Sequence, residues 1–257
     1  MTHHTTVEGS ARLASLLRSA SRLLIFTGAG ISTASGIPDY RGPQGVWRTR
    51  RPVYFDDFMA RHTARVEYWS QKAEDRAAFR SARPNAVHDA VVDLEHAGKV
   101  ELVVTQNVDG LHRLAGTAED RLVEIHGTNA RIECQRCGAR SDPEPHFRAF
   151  AASGEPPLCT CGGYLKPATI SFGQQLKAVD IGRAFAAARR ADVVVALGST
   201  LSVTPAADIP IEAARHGAAY AIVNRGPTEH DRSPLVELRI EGDVVDIFPD
   251  AVARAVA

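Results

Sequence analysis

The apolar residues gather into short runs: LLIF (23–26), VELVVT (100–105), LVEI (122–125), DVVVALG (192–198), AYAIVN (219–224) and VELRI (236–240). These runs are rich in β-branched residues, and most are apolar nearly throughout, as in strands covered on both faces of a parallel sheet. Ala-rich helical stretches lie between several of them, at 84–97, 177–190 and 206–216, and HTTVEGSARLASLLRSA (4–20) reads as a helix feeding the first strand. Strand and helix in repeated alternation predict an α/β fold, a Rossmann-like doubly wound parallel sheet.

Two segments break the alternation. Residues 41–84 open on a Gly/Pro loop, RGPQGVW, and continue as a helical stretch rich in aromatic and charged side chains. Residues 127–165 carry every cysteine, with Pro and Gly around them in SDPEPH and SGEPPLCTCGG. Both read as inserts that pack together as a smaller lobe, leaving 1–40, 85–126 and 166–257 to the sheet domain. A chain of 257 residues is long enough for one large domain with inserts.

The charge balance, 30 basic against 30 acidic residues with a pI near 7.2, offers no electrostatic case for nucleic acid or a membrane surface. WRTRRP (47–52) reads as a solvated loop, with docking of an acidic partner as the alternative. No apolar run has the length of a bilayer span. MTHHTTVEGS lacks the pattern of a secretory signal. A cytoplasmic protein with neither membrane nor direct nucleic-acid partner is expected.

Candidate chemistry begins at LIFTGAGISTAS (24–35). Gly28 and Gly30 allow a tight turn and close approach to a diphosphate, and a helix opening beyond them would offer free N–H groups and a positive dipole end. Ser32 and Thr33 add hydroxyl donors or cap that helix; a plain tight strand–helix turn is the alternative. The usual dinucleotide fingerprint fails twice. Thr33 stands where Gly or Ala is common, and RTRRP occupies the place of the ribose-binding acid. Asn224, at the end of AYAIVN, is a substitute ribose partner, because an amide both donates and accepts; a capping role fits it equally. Cys134 and Cys137 in CQRC, with Cys159 and Cys161 in CTC, suit one closed, tetrahedral, structural Zn2+, although CTC is a residue tighter than the usual pair. Reduced or disulfide-paired thiols are the alternative.

In order along the chain stand GAGISTASGIPDYRGPQGVW (28–47), TQNVDGLH (105–112), EIHG (124–127), the cysteine pairs, LKPATISFG (165–173), GSTLSVTP (198–205) and IVN (222–224). Together they resemble the sirtuin family of NAD-dependent protein lysine deacylases, and the likeness covers nearly the whole chain. It implies an NAD-binding sheet domain in which NAD is a consumed co-substrate, not a hydride carrier. It also implies that Gly28, Ala29, Gly30, Thr33, Tyr40 and Arg41 bind NAD, with Asp39 holding the loop. Tyr40 replaces the family's usual Phe. Gln106, Val108 and Asp109 would line the nicotinamide and ribose side, and Asn107 the pocket where nicotinamide departs. Gly198, Ser199 and Thr200 would meet phosphate or ribose, Asn224 ribose, and Asp243, in EGDVVDIF, the adenine end.

The catalytic set implied is His126, Asn107 and Asp109. His126 follows the strand LVEI and precedes Gly127, which leaves the imidazole at the carboxyl edge of the sheet, where open α/β sheets bind ligands. An imidazole titrates near neutral pH and so can take a proton from a sugar hydroxyl. His112 is assigned to packing. The implied reaction takes an acylated lysine on a protein partner and yields free lysine, nicotinamide and O-acyl-ADP-ribose; a mono-ADP-ribosyltransferase using the same pocket is the alternative. ATISFG (168–173) would pair with the peptide as an added strand. Ala168, Ser171 and Gln174 depart from the family's common residues there. In VEYWSQKAE, Trp69 and Lys72 hold the spacing at which desuccinylating members carry Tyr and Arg. Lysine lacks the bidentate fork, and an amphipathic helix with Tyr68 or Trp69 packed inward is the simpler reading. Acetyl or longer apolar acyl groups, and a monomer, are expected.

Overall fold

The inner strands of the large sheet send alternate side chains into two separate helix layers. The computed structural model describes residues 6–42 and 45–257; His4 and Thr5 of the expected first helix, and Pro43 and Gln44 of the Gly/Pro loop, lie outside the described residues. The chain begins with α1 (Thr6–Ser19) and β1 (Leu23–Thr27), followed by α2 (Phe55–Ala60), α3 (His62–Ser81), α4 (Ala86–His96) and β2 (Val100–Thr105). Next come α5 (Leu111–Ala115), β3 (Leu122–Glu124), β4 (Gly127–Cys134), β5 (Arg140–Ser141), α6 (Pro143–Ser153) and β6 (Leu165–Thr169). The remainder is α7 (Ala178–Ala188), β7 (Val193–Leu197), α8 (Asp208–Arg215), β8 (Ala219–Asn224), β9 (Val236–Glu241) and α9 (Val244–Val256).

The 6-stranded sheet is parallel, in the order β3-β2-β1-β7-β8-β9. This is the doubly wound order, and it reverses between β1 and β7, so a ligand crevice belongs at the carboxyl ends of those two strands. Leu23, Ile25, Val193, Val195 and Leu197 point into the layer of α1, α4 and α9, whereas Leu24, Phe26, Val194 and Ala196 point into that of α7 and α8. Two-sided burial with a period of two explains why these strands read as apolar nearly throughout. At α4, Asn85 caps the first turn by accepting from Val87 N, and its own amide donates to Ile31 O and Ser35 Oγ, both at 2.8 Å. That helix start is thereby tied to the glycine loop.

A second core joins Phe58, Tyr68 and Trp69 to Ile132, Phe147, Phe150 and Leu165. It covers a 3-stranded antiparallel sheet, β5-β4-β6. The indole of Trp69, 0% exposed, donates to Leu165 O at 3.0 Å.

One expectation needs correction. No α-helix opens after Gly30: Ala29–Ile31 and Thr33–Ser35 are single 3-10 turns. Gly30 N donates to Gly198 O at 2.8 Å and Thr33 Oγ1 to Gly30 O at 3.1 Å, and Gly36, left-handed at φ 83°, ends the second turn. ATISFG is strand only at its start. β6 ends at Thr169, and Ile170–Gly173 leave the small sheet. Among the described residues no helix is long and apolar enough to cross a membrane.

Candidate active site

The crevice is built where two loops interlock beyond β1 and β7. Gly28 N donates to Leu197 O at 2.9 Å and Gly30 N to Gly198 O at 2.8 Å. A Cβ added at Gly30 would stand 2.8 Å from Gly198 Cα, and one at Gly198, whose φ is 61°, would stand 2.6 Å from Ile31 N. These glycines therefore let two backbones touch. Behind the contact opens a cleft of about 1160 Å³.

Gly28, Ala29, Gly30, Thr33, Asp39, Tyr40, Arg41, Gln106, Asn107, Val108, His126, Gly198, Ser199, Thr200, Asn224 and Asp243 all line that cleft. Asp109 does not. It faces a small adjoining recess with Ser32, Ile37, Tyr40 and Asn107. The link between the two spaces is Ser32, which donates to Asp109 at 2.8 Å and is 3.1 Å from Asn107 Nδ2. Asn107, 7% exposed, also donates to Gly28 O at 3.1 Å and is anchored by its N–H on Thr105 Oγ1 at 3.0 Å. Burial pushes the Asp109 carboxyl up, against the Leu111 N–H and the Ser32 hydroxyl that favour its ionised form.

His126 Nδ1 lies 3.2 Å from Gln106 O. A carbonyl only accepts, so Nδ1 carries the proton and a neutral ring leaves Nε2 as acceptor. Burial holds the imidazole below its ordinary range, with Arg41 acting in the same direction and the Gln106 contact opposing. Gln106 Nε2 donates to Ser199 Oγ at 2.7 Å, joining the two strand ends. On one wall, Tyr40 and Trp47 are 4.9 Å apart and Arg41 lies 4.2 Å over Trp47. Burial, then Asp75 and Asp109, pushes the Tyr40 phenol up to about 12. At the far end the Asn224 amide donates to Arg225 O and Gly226 O, both at 3.1 Å, and Asp243 pairs with Arg225 while capping α9.

The diphosphate-bearing part of a dinucleotide fits this geometry, since the glycines leave room and the N–H groups of Ala29, Ser199 and Thr200, which the inter-loop bonds do not use, line the same cleft. Zinc fits the cysteines. The Sγ atoms of Cys134, Cys137, Cys159 and Cys161 lie within 4.8 Å of one another, with Cys134–Cys161 at 3.5 Å and Cys137–Cys159 at 3.8 Å. Tetrahedral Zn–S bonds of about 2.3 Å require S–S separations of about 3.8 Å. The tighter CTC spacing does not keep its thiols apart from the CQRC pair.

His112 packs as expected. It is buried, with Nε2 3.1 Å from Thr27 Oγ1 and its ring 5.0 Å from that of His88. α3 follows the simpler reading: Trp69 and Tyr68 pack into the small-lobe core, and Tyr68, Gln71 and Lys72 line the cleft. The helix cannot aim 69 and 72 together once the indole is held by Leu165. The sequence named Ser32 as a hydroxyl donor or cap but gave no sign of its bonds to Asp109 and Asn107, and Asn85 carried no local signal.

The sequence profile of the Sir2 family matches residues 28–205. NAD-dependent protein deacetylase 1 of Bradyrhizobium diazoefficiens is 41% identical over 236 residues, covering 92% of each chain. A solved Sir2 structure with a deacetylated p53 peptide and 3′-O-acetyl ADP ribose superposes with a TM-score of 0.86 at 33% identity, over 94% of this chain and 96% of that one. Another, with a p53 peptide and NAD+, gives 0.82 at 33% identity over 92% and 94%.

Proposed function

The chain belongs to the Sir2 family, and from that premise we propose which of its groups carry the reaction. The protein is an NAD-dependent protein lysine deacylase that consumes NAD and releases nicotinamide and O-acyl-ADP-ribose. The observation that carries the assignment of roles is the neutral, oriented imidazole of His126 in the wall of the cleft.

NAD, when bound, supplies a ribose carbon whose nicotinamide can leave as the acyl-lysine carbonyl oxygen arrives. Gly28, Gly30 and Gly198 leave room for the diphosphate, the N–H groups of Ala29, Thr33, Ser199 and Thr200 and the Ser199 hydroxyl hold it, Arg41 adds positive charge, and Asn224 and Asp243 serve the adenosine end. Tyr40, Gln106 and Val108 shape the nicotinamide side. Asn107, fixed by Gly28 O and Ser32, presents a polar surface to nicotinamide, and Asp109 acts through Ser32 from the adjoining recess. His126 Nε2 accepts a proton from a ribose hydroxyl, the step that lets that oxygen take the acyl group. The acylated peptide lies along residues 168–173 through backbone hydrogen bonds. Acetyl or longer apolar acyl groups, a cytoplasmic setting and a monomeric enzyme complete the reading.

Mass spectrometry of reactions with NAD and a panel of acyl-lysine peptides tests it. Nicotinamide release that requires the acyl peptide is expected, with formation of O-acyl-ADP-ribose that falls sharply in His126→Ala. Transfer of ADP-ribose to protein without an acyl group would favour the transferase reading instead.

A further inference from the structure

A buried ammonium needs partners, and those of Lys166 lie at the two ends of one short segment. Lys166 is on β6 and 0% exposed. Its Nζ donates to Thr169 O and, at 3.3 Å, to Gln174 Oε1. The same Gln174 oxygen accepts from Ser171 N at 3.1 Å, while Gln174 Nε2 donates to Gln135 Oε1 at 3.2 Å. The bridged residues, Ile170 to Gly173, form part of the cleft wall. They are tied to the catalytic side as well, since Ile170 N donates to the backbone carbonyl of His126 at 2.8 Å.

From this geometry we propose that Lys166 is a positioning residue for the acylated peptide, its ammonium clamping Thr169 to Gln174 and holding residues 170–173 in the shape against which the peptide pairs. The proposal rests on the reading that the peptide docks along this segment. No other element packed there offers Lys166 a bonded carboxylate among the described residues. From α3 come Lys72 and the Tyr68 ring, whose centroid is 5.6 Å from Nζ. From β4 comes Glu133, already engaged by Lys177 at 3.0 Å and Arg140 at 2.8 Å. Among the described residues only neutral oxygens bond the ammonium, with the Tyr68 ring and the Glu133 charge acting at longer range. Burial, then Lys72, lowers its pKa to about 7, with Lys177 adding and Glu133 opposing. The clamp is therefore charged below neutrality and weakens as pH rises, because a neutral amine donates less strongly than an ammonium.

Steady-state kinetics on the full chain, joined to hydrogen exchange of residues 169–174, test the role. Lys166→Met is expected to raise the peptide KM about tenfold, with kcat and the NAD KM changed less than about twofold, since only docking loses charged hydrogen bonds. Gln174→Ala, which frees one end of the clamp and keeps the lysine, moves the same constant in the same direction and serves if Lys166→Met does not fold. Gln174→Glu supplies the missing carboxylate, so its peptide KM stays level between about pH 6.5 and 8.5 while that of the parent protein rises about threefold. A parental peptide KM in both Lys166→Met and Gln174→Ala, or an unchanged pH trend in Gln174→Glu, overturns the proposal. Protection of 169–174 by acyl peptide in the parent protein separates the two ideas. With protection, such kinetics refute the clamp alone; without it, docking at this segment and the clamp fall together.

Discussion

His126 works through what its other nitrogen is doing. Because Nδ1 is occupied by Gln106 O, the ring can offer only Nε2 to the cleft, and burial keeps it unprotonated at neutral pH. His126→Ala is expected to lower kcat by about 10²–10⁴, the range for removal of a general base, while peptide binding persists. Titration gives the same residue a second signature. Its pKa is below the ordinary 6.5, so kcat holds through neutrality and falls only as acid protonates Nε2 below that value, on a limb that a pH–rate profile resolves. A limb starting above pH 7 would argue for another base. Asp109 carries a related lesson: a carboxyl outside the cleft still bears on it, because Ser32 lies between it and Asn107.

Elements, rather than single side chains, shape the crevice. The loops after β1 and β7 touch backbone to backbone at Gly30 and Gly198, with no space for a methyl group. Gly30→Ala should force them apart, at a cost of about 1–3 kcal/mol in denaturant unfolding and a rise in the NAD KM. An NAD KM unchanged in that variant would detach the interlock from cofactor binding. α3 faces two ways, with Tyr68 and Lys72 on the cleft and Trp69 in the small core. Trp69→Ala removes a wholly buried indole that also bonds Leu165 O, and about 3–5 kcal/mol of stability should go with it.

At the scale of the molecule, the small lobe depends on its thiols. Leu165 and Ile132 belong to the core under β4 and β6, and Cys134 joins the same cluster. Chelation of the metal is expected to lower the melting temperature and loosen this lobe, read by calorimetry, because the closed cysteine site is structural. Acid reaches the sheet domain by another route. Burial lowers His88 to about 4 and His112 to about 3, so both are neutral in the folded state at pH 5 while unfolded histidines have bound protons. Folded values below unfolded ones mean stability is lost as pH falls from about 6.5, on the order of 2 kcal/mol per imidazole by pH 5. Urea titrations at pH 7 and 5 measure it.

Much of this architecture was legible in one dimension. Strands covered on both faces must be apolar on both, so LLIF and DVVVALG announced a doubly wound sheet, and the glycine-rich turn with EIHG marked its ligand edge. Two close cysteine pairs pointed to a metal, with plain or disulfide-paired thiols as the alternative. These features follow from local composition and short spacing, which a chain carries with it. What depended on distant partners could not be read. Whether GAGISTAS opens an α-helix or two 3-10 turns, which of Tyr68 and Trp69 bonds Leu165, and whether Ser32 joins Asp109 to Asn107 beyond the strand ends were decided only in the folded chain. Lys166 looks like any surface lysine until β4, α3 and the 169–174 segment close over it. The sequence by itself determined the layers and the chemistry available; the tertiary structure decided which groups meet, because hydrogen bonds and burial act through space between residues that no local pattern connects.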